Sequence, residues 1–128
     1  MKCYIYEIGY LKGRVLENEE KLEDALSMYT ESLLYSPTHY KLREAIGRTQ
    51  RLLGDCSQSI QVFEDLLKNF PISAFQNFEL AKSYYADGNR NKALEHLDIT
   101  LDIWKDADTS FKPAIEAREK WVEWNQSN

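Results

Sequence analysis

Apolar residues recur at helical spacing along nearly the whole chain, and turn-forming residues interrupt them at regular places. The pattern predicts seven helices, at about 4–18, 22–35, 39–53, 57–69, 73–86, 91–104 and 113–124. The breaks between them carry residues that end helices, namely Ser36-Pro37, Gly54-Asp55, Phe70-Pro71 and Asp87-Gly88-Asn89. Glu20 stands where the later units have glycine, so the first turn is the least regular.

The same chemistry returns every 34 residues. Three sets of aligned positions show this: Gly13, Gly47 and Ala81; Ala25, Ser59 and Ala93; Tyr29, Phe63 and Leu97. The small residues allow two helices to approach to about 8–10 Å, and the larger residue fills the space that they leave. A period of this length predicts stacked helix–turn–helix units instead of one globular core.

This pattern resembles the tetratricopeptide repeat. The residues that carry the resemblance are Leu11, Gly13, Leu16, Ala25, Tyr29 and Pro37 in the first unit, Ile46, Gly47, Ser59, Phe63 and Pro71 in the second, and Leu80, Ala81, Tyr84, Ala93 and Leu97 in the third. The early Trp of the family is replaced by Gly9, Arg43 and Asn77, and Lys105 stands in place of a third proline. The resemblance implies an all-α, right-handed α-solenoid and a single domain over residues 1–128. It would contain three helix-turn-helix repeats, at about 6–39, 40–73 and 74–107, and a C-terminal capping helix at about 110–125.

The two ends of the predicted array differ. After Trp104, one apolar stripe is expected to cover the last repeat, formed by Phe111, Ala114, Ile115, Trp121 and Val122. The first unit begins shortly after Met1, without a preceding cap. This asymmetry leaves two interpretations open. Either the chain is the last part of a longer array, or a partner covers the first helix.

Composition excludes several classes of function. The formal net charge of −5 argues against general nucleic-acid binding, which depends on an excess of Lys and Arg. Cys3 and Cys56 stand alone, which is typical of reduced thiols. Glu7 interrupts the N-terminal apolar residues before a signal peptide could form, and no apolar stretch approaches the ~20 residues that span a bilayer. We expect a cytoplasmic protein with no membrane partner.

Catalytic chemistry is not indicated. His39 and His96 fall on different predicted helices and have no cysteine at ligand spacing. The stretch Gly54-Asp55-Cys56-Ser57 has no basic neighbour that would activate the thiol, and turn formation accounts for it. The sequence therefore predicts no enzyme activity, no cofactor and no metal site.

A binding groove is implied by the resemblance, because in this family the first helix of each repeat lines a groove that takes an extended peptide or a helix. The implied peptide-binding residues are Tyr10, Arg14, Lys41, Arg48, Arg51, Phe75, Phe78, Lys82 and Tyr85, with Glu7, Glu17 and Glu44 on the same side. Arg14, Arg48 and Lys82 form a column of cations at 34-residue spacing, which favours an acidic ligand. Two alternatives remain: the column arises by chance, or Phe75 and Phe78 belong to the inter-repeat core.

The leading hypothesis is a non-enzymatic scaffold that binds a peptide or helix, with an acidic segment favoured. The clamp that some family members use for a chaperone C-terminus is disfavoured, because its positions hold no Asn here and Glu44 would repel a carboxylate. One alternative is a self-associating module that pairs through the first helix (Tyr4, Ile5, Ile8 and Leu11) or through Trp121 and Trp124. A further alternative is a regulatory C-terminal fragment of a longer repeat protein.

Overall fold

The computed structural model describes residues 5–126, with side chains from residue 7 onward. Cys3 and Tyr4, and the side chain of Ile5, therefore lie outside the described part of the chain. Within it the chain forms seven helices and no strand: α1 Ile5–Asn18, α2 Leu22–Leu33, α3 Tyr40–Leu52, α4 Cys56–Asn69, α5 Ala74–Ala86, α6 Arg90–Ile103 and α7 Lys112–Gln126. The predicted all-α solenoid of helical repeats is confirmed.

Side-chain caps fix where most of the helices begin. The side chains of His39, Asp55, Ser73 and Asn89 each accept a hydrogen bond from the backbone N–H three residues later. Each bond satisfies one of the N–H groups that a helix leaves unpaired in its first turn. The helix α2 has no such bond, since Lys21 stands at its N-cap position. Polar side chains in the turns therefore determine the starts of four helices.

The three turns within the hairpins share one backbone conformation. Gly54 and Gly88 have φ angles of 92° and 87°, and Glu20 has a φ of 62°. This left-handed region ends a helix at no steric cost for glycine, whereas it strains a residue that carries a Cβ. The first turn thus keeps the geometry of the other two although its residue is less suited to it.

Small residues allow the two helices of each hairpin to approach closely. A Cβ added to Gly13 would lie 2.2 Å from the Tyr29 ring, and one added to Gly47 would lie 2.7 Å from the Phe63 ring. Neither position has room for a methyl group unless the ring moves. The fit between small and aromatic positions that the 34-residue period predicts is therefore present in the structure.

The hairpins stack in chain order. Each helix contacts the next one along the chain, and α3 also contacts α1 on one side and α5 on the other. Buried residues divide into an N-terminal core and a C-terminal core. The first contains Ala25, Tyr29, Leu42, Ala45 and Ile46. The second contains Phe63, Leu66, Phe78, Leu80, Ala81, Tyr84, Ala93, Leu97, Ala117 and Trp124.

The last helix, α7, covers the C-terminal core through a different stripe from the predicted one. Ala114, Ala117 and Trp124 are buried, whereas Val122 is exposed. Trp124 stacks on the Tyr85 ring at a centroid distance of 4.4 Å. The prediction that Trp124 forms an exposed pairing edge is therefore wrong. Trp121 alone remains half-exposed there, and its indole N–H donates to Asp98.

Candidate functional site

The helices α1, α3 and α5 lie side by side, because α3 contacts both of the others. Their shared surface is here called the groove face. The peptide-binding residues predicted from the sequence all lie on these three helices: Tyr10, Arg14, Lys41, Arg48, Arg51, Phe75, Phe78, Lys82 and Tyr85. The structure differs from the sequence interpretation in what these residues contact. Three of the five cations are paired within the protein.

Arg48 is held by a carboxylate of the neighbouring helix. Its Nε and Nη2 atoms donate to the two oxygens of Glu17 at 3.0 and 2.6 Å, and the Tyr29 hydroxyl donates to the same carboxylate. Burial works to raise the pKa of Glu17, but the bonds from Arg48 and Tyr29 hold it below its ordinary value. This two-point ion pair ties α1 to α3 and occupies the central cation of the predicted column.

Arg51 and Lys82 share a second carboxylate, that of Glu79. Arg51 Nη1 lies 2.7 Å from Glu79 Oε2, and Lys82 Nζ lies 2.9 Å from Glu79 Oε1. Burial works to raise the pKa of Glu79, and the charges of Arg51 and Lys82 hold it below its ordinary value. Lys82 also approaches Glu116 of α7 at 3.9 Å and lies 4.3 Å from the centre of the Phe78 ring. These contacts join α3, α5 and α7.

A third carboxylate on the groove face is held without a cation bonded to it. The Gln76 side-chain N–H donates to Glu44 Oε2. Burial raises the pKa of Glu44, against the lowering effect of this hydrogen bond, and the nearby charge of Glu79 raises it further. Glu44 therefore carries its negative charge less readily than an ordinary glutamate.

Arg14 and Lys41 are the predicted cations that stay exposed. Neither forms a salt bridge within 4.0 Å with another of the residues that the structure describes. Lys41 borders a depression of about 250 Å³, which Glu7, Tyr10, Leu11 and His39 also line. Cationic character that a ligand can reach is thus concentrated at the N-terminal end of the groove face.

The aromatic residues divide between core and surface. Phe78 is 3% exposed and belongs to the C-terminal core, whereas Phe75 is 51% exposed. Trp104 packs edge-on against both, and also against Phe111, at centroid distances of 5.1–6.1 Å. Of the two residues that sequence left between groove and core, Phe78 belongs to the core and Phe75 to the surface. Among the predicted aromatic site residues, Phe75 near the N-terminus of α5 is therefore the one that is most exposed.

Comparison with known proteins agrees with this architecture. A family model for the tetratricopeptide repeat (TPR) matches residues 45–71. The crystal structure of PcrH from Pseudomonas aeruginosa superposes with a TM-score of 0.81 and 14% identity, over 94% of this chain and 91% of that one. The chain therefore has the fold of TPR proteins, and residues 45–71 match the repeat itself. No curated protein matches its sequence.

Two further TPR structures show the same fold. YrrB, described as a TPR protein with an unusual peptide-binding site, has a TM-score of 0.74 and 23% identity, over 89% of this chain and 57% of its own. The first TPR of Spaghetti (RPAP3), bound to the HSP90 peptide SRMEEVD, has a TM-score of 0.79 and 12% identity, over 95% of this chain and 91% of its own. PcrH has also been solved in complex with the chaperone binding region of PopD, with a TM-score of 0.80 and 14% identity, over 94% and 90% of the two chains.

The TPR period by itself does not reveal the ion pairs of the groove face. Glu17 and Arg48 are 31 residues apart, and Arg51 and Glu79 are 28 apart. Opposite charges on successive first helices at spacings shorter than the 34-residue period were the signal that could have found them. Glu79, Glu116, Trp104 and Phe111 are the residues near the site that the sequence interpretation missed.

Two further features of the described residues concern metal ligands and membrane-spanning helices. Among the described residues, no group of three or more His, Cys, Asp and Glu side chains could hold a metal ion. None of the described helices combines the length and the apolar character that crossing a membrane requires.

Proposed function

We propose that this protein is a non-enzymatic interaction module that holds a segment of a partner protein along its groove face. One observation carries the proposal: exposed cations and an exposed aromatic residue lie on the same face, on a framework of paired helices. Binding of the PopD region by PcrH and of the HSP90 peptide by RPAP3 supports this use of the fold.

The proposed ligand has two parts. An acidic residue would meet Arg14 and Lys41, because Arg48, Arg51 and Lys82 already have carboxylate partners in the protein. An apolar residue would meet Phe75 and the edge of Trp104. The first helices of successive repeats are about 10 Å apart and an extended peptide rises ~3.3 Å per residue, so about three to six residues would separate the two parts.

Only the part of the ligand that meets Arg14 and Lys41 is thus expected to be acidic. The five cations are balanced by the carboxylates of Glu7, Glu17, Glu44 and Glu79 on the same three helices and by that of Glu116 on α7. A uniformly acidic segment would meet Glu44 and Glu79 near the middle of the face. The proposal therefore favours a segment with one acidic end over one that is acidic throughout.

Selection from a random peptide library on the wild-type protein tests the proposal. We expect the selected peptides to share an acidic residue several positions from an apolar one. The double substitution Arg14→Glu/Lys41→Glu should weaken their binding about tenfold, since exposed charges contribute modestly and reversal adds repulsion. Because neither residue is bonded to the framework, this variant should fold normally.

A matched control reverses two exposed lysines that lie elsewhere, Lys68 and Lys105. The variant Lys68→Glu/Lys105→Glu changes the net charge equally and should bind the selected peptides as the wild type does. Equal binding by wild type and the Arg14→Glu/Lys41→Glu variant would contradict the proposed site. A Phe75→Ala variant with unchanged binding would contradict its apolar part.

A further inference from the structure

One side of α1 is apolar and exposed to solvent. Ile8, Leu11 and Val15 are 51%, 64% and 56% exposed. Their spacing of three and four residues places them on a single stripe of the helix. A single exposed aliphatic residue is ordinary on a protein surface, whereas a continuous stripe of three marks a place where something binds.

The repeat identifies what this stripe does elsewhere in the molecule. The residues 34 positions later are Leu42, Ala45 and Thr49 of α3, and all three are fully buried. They belong to the helix that packs against α2, so the preceding hairpin covers them. The stripe on α1 is therefore equivalent to the surface through which α3 stacks on the preceding hairpin. In α1 this surface consists of aliphatic residues, and none of the described residues covers it.

The other end of the solenoid shows how an end that faces water is built. The outward side of α7 carries Glu116, Arg118, Glu119 and Glu123, with Val122 among them. Polar residues of this kind terminate a repeat array. The α1 stripe has the opposite composition. The α1 stripe is therefore suited to burial. The outward side of α7 is mostly polar, so it would not cover the α1 stripe of another copy well.

A second groove, between α1 and α2 and distinct from the groove face, lies beside the stripe and carries charges of both signs. It has a volume of about 290 Å³ and is lined by Ile8, Gly9, Lys12, Met28, Glu31, Ser32 and Tyr35. Lys12 and Glu31 form no salt bridge within 4.0 Å with any described residue. Two copies related by a two-fold axis can therefore satisfy these charges, with Lys12 of each copy facing Glu31 of the other.

We propose that the α1 stripe and the adjacent groove form an isologous dimer interface with a second copy of this chain. The two α1 helices pack antiparallel through Ile8, Leu11 and Val15 of both copies. The interface continues the stacking surface that α3 buries within the chain. Self-complementary charge, with one cation and one carboxylate on the same patch, favours a copy of this chain over a partner of a single charge sign.

The exposed area fits a dimer that forms reversibly. The three aliphatic residues and Tyr35 expose on the order of 400 Å² of apolar surface, which is typical of a functional patch on a monomer. Each partner of a stable interface contributes ~800 Å², so the flanking polar residues must supply about half. We therefore expect association that depends on concentration in the micromolar range.

Sedimentation of the full chain from about 1 µM to about 1 mM tests the proposal. The expected result is a monomer that converts to a dimer and to nothing larger. Leu11→Glu should weaken dimerisation at least tenfold, with the helix content unchanged because Leu11 is exposed. The matched control is Ile72→Glu, which changes an equally apolar and more exposed residue in the α4–α5 connection and should dimerise normally.

A charge exchange identifies the two-fold arrangement. Lys12→Glu and Glu31→Lys should each weaken the dimer, while an equimolar mixture of the two variants should restore it as a heterodimer. The double variant Lys12→Glu/Glu31→Lys should also dimerise. A chain that stays monomeric at the highest concentration, a dimer indifferent to Leu11→Glu, or a mixture that stays monomeric would each overturn the proposal. Species that grow beyond the dimer would overturn it in favour of head-to-tail stacking.

Discussion

The two junctions between neighbouring repeats use opposite chemistry at equivalent positions. At the first junction Leu42 and Ala45 of α3 are fully buried in the N-terminal core. At the second, 34 residues later, Gln76 and Glu79 of α5 replace them. Gln76 donates to Glu44 and Glu79 accepts from Arg51, while the Ser59 and Ser83 hydroxyls lie 2.7 Å apart. One repeat period therefore accommodates both an apolar and a hydrogen-bonded junction.

The difference shows what stacking requires. A junction must cover its surface and pair most of its polar groups, and either kind of residue can do so; Gln76 Oε1 is a buried atom left without a partner. An apolar junction loses stability in proportion to the contact removed. A polar one loses more when a single partner is removed than when the whole set is replaced, because the remaining groups are left buried without partners. The two junctions should respond differently to equivalent substitutions.

The largest expected effect is at the apolar junction. Leu42→Ala removes a fully buried side chain and leaves a cavity between α2 and α3, so it should lower the free energy of unfolding by about 2–5 kcal/mol. Urea titration followed by circular dichroism measures the change. Gln76→Ala, at the equivalent position, should cost about 1 kcal/mol. Equal losses for the two variants would contradict the contrast between the junctions.

A smaller loss is expected from Glu79→Gln. The substitution keeps the shape of the side chain but removes the charge that Arg51 and Lys82 share. The side chain is 19% exposed, and solvent screening reduces the penalty for a fully buried pair to about 2 kcal/mol. The stability that ionised Glu79 gives the wild-type protein should be fully present above the ordinary glutamate pKa of 4.5. It should be lost as the pH falls through the lowered pKa of Glu79 in the folded protein.

Urea titrations at several pH values between about 3 and 7 check this sign. In the Glu79→Gln variant the free energy of unfolding should fall less steeply with decreasing pH than in the wild type. The pH dependence that remains should come from Glu17 and the other carboxylates. A variant that keeps the full acid dependence of the wild type would contradict the assignment to Glu79.

The smallest effect, of opposite sign, is expected from Glu44→Gln. Burial raises the pKa of Glu44, so its ionised form is disfavoured in the folded protein at neutral pH, and protonation relieves this as the pH falls through the raised value. The neutral variant should gain stability at pH 7, by less than about 1 kcal/mol. A loss at neutral pH would show that the ionised carboxylate stabilises the junction.

The sequence predicted the repeat architecture because that architecture depends on local spacing. Gly13 and Gly47 meet Tyr29 and Phe63, which lie 16 residues later in the same hairpin. The observed helices begin and end within two residues of the predicted bounds where both are described. Period and turn chemistry specify such contacts without knowledge of how one hairpin sits on the next.

The groove face was harder to predict, because it depends on the lateral offset between helices of different repeats. A column at 34-residue spacing aligns Arg14, Arg48 and Lys82, but the contacts join residues such as Glu17 and Arg48 at a spacing of 31. The column therefore placed the cations and missed their partners. The same limit applies to Phe75 and Phe78, since their exposure depends on where Trp104 lies. Arg14 is the one member of the column that stays exposed, and the binding of a peptide there remains a prediction.

The ion pairs of the groove face have a mechanical consequence. Glu17–Arg48 bridges α1 and α3, and Glu79–Arg51 bridges α3 and α5. These ion pairs hold the first helices of successive repeats close together on the groove face. Their strength therefore affects the curvature of the solenoid. Because both pairs are largely buried, dissolved salt screens them only weakly, and the spacing that they set between α1, α3 and α5 should change little with ionic strength. The width that the groove face offers a partner is then a nearly fixed dimension of the molecule.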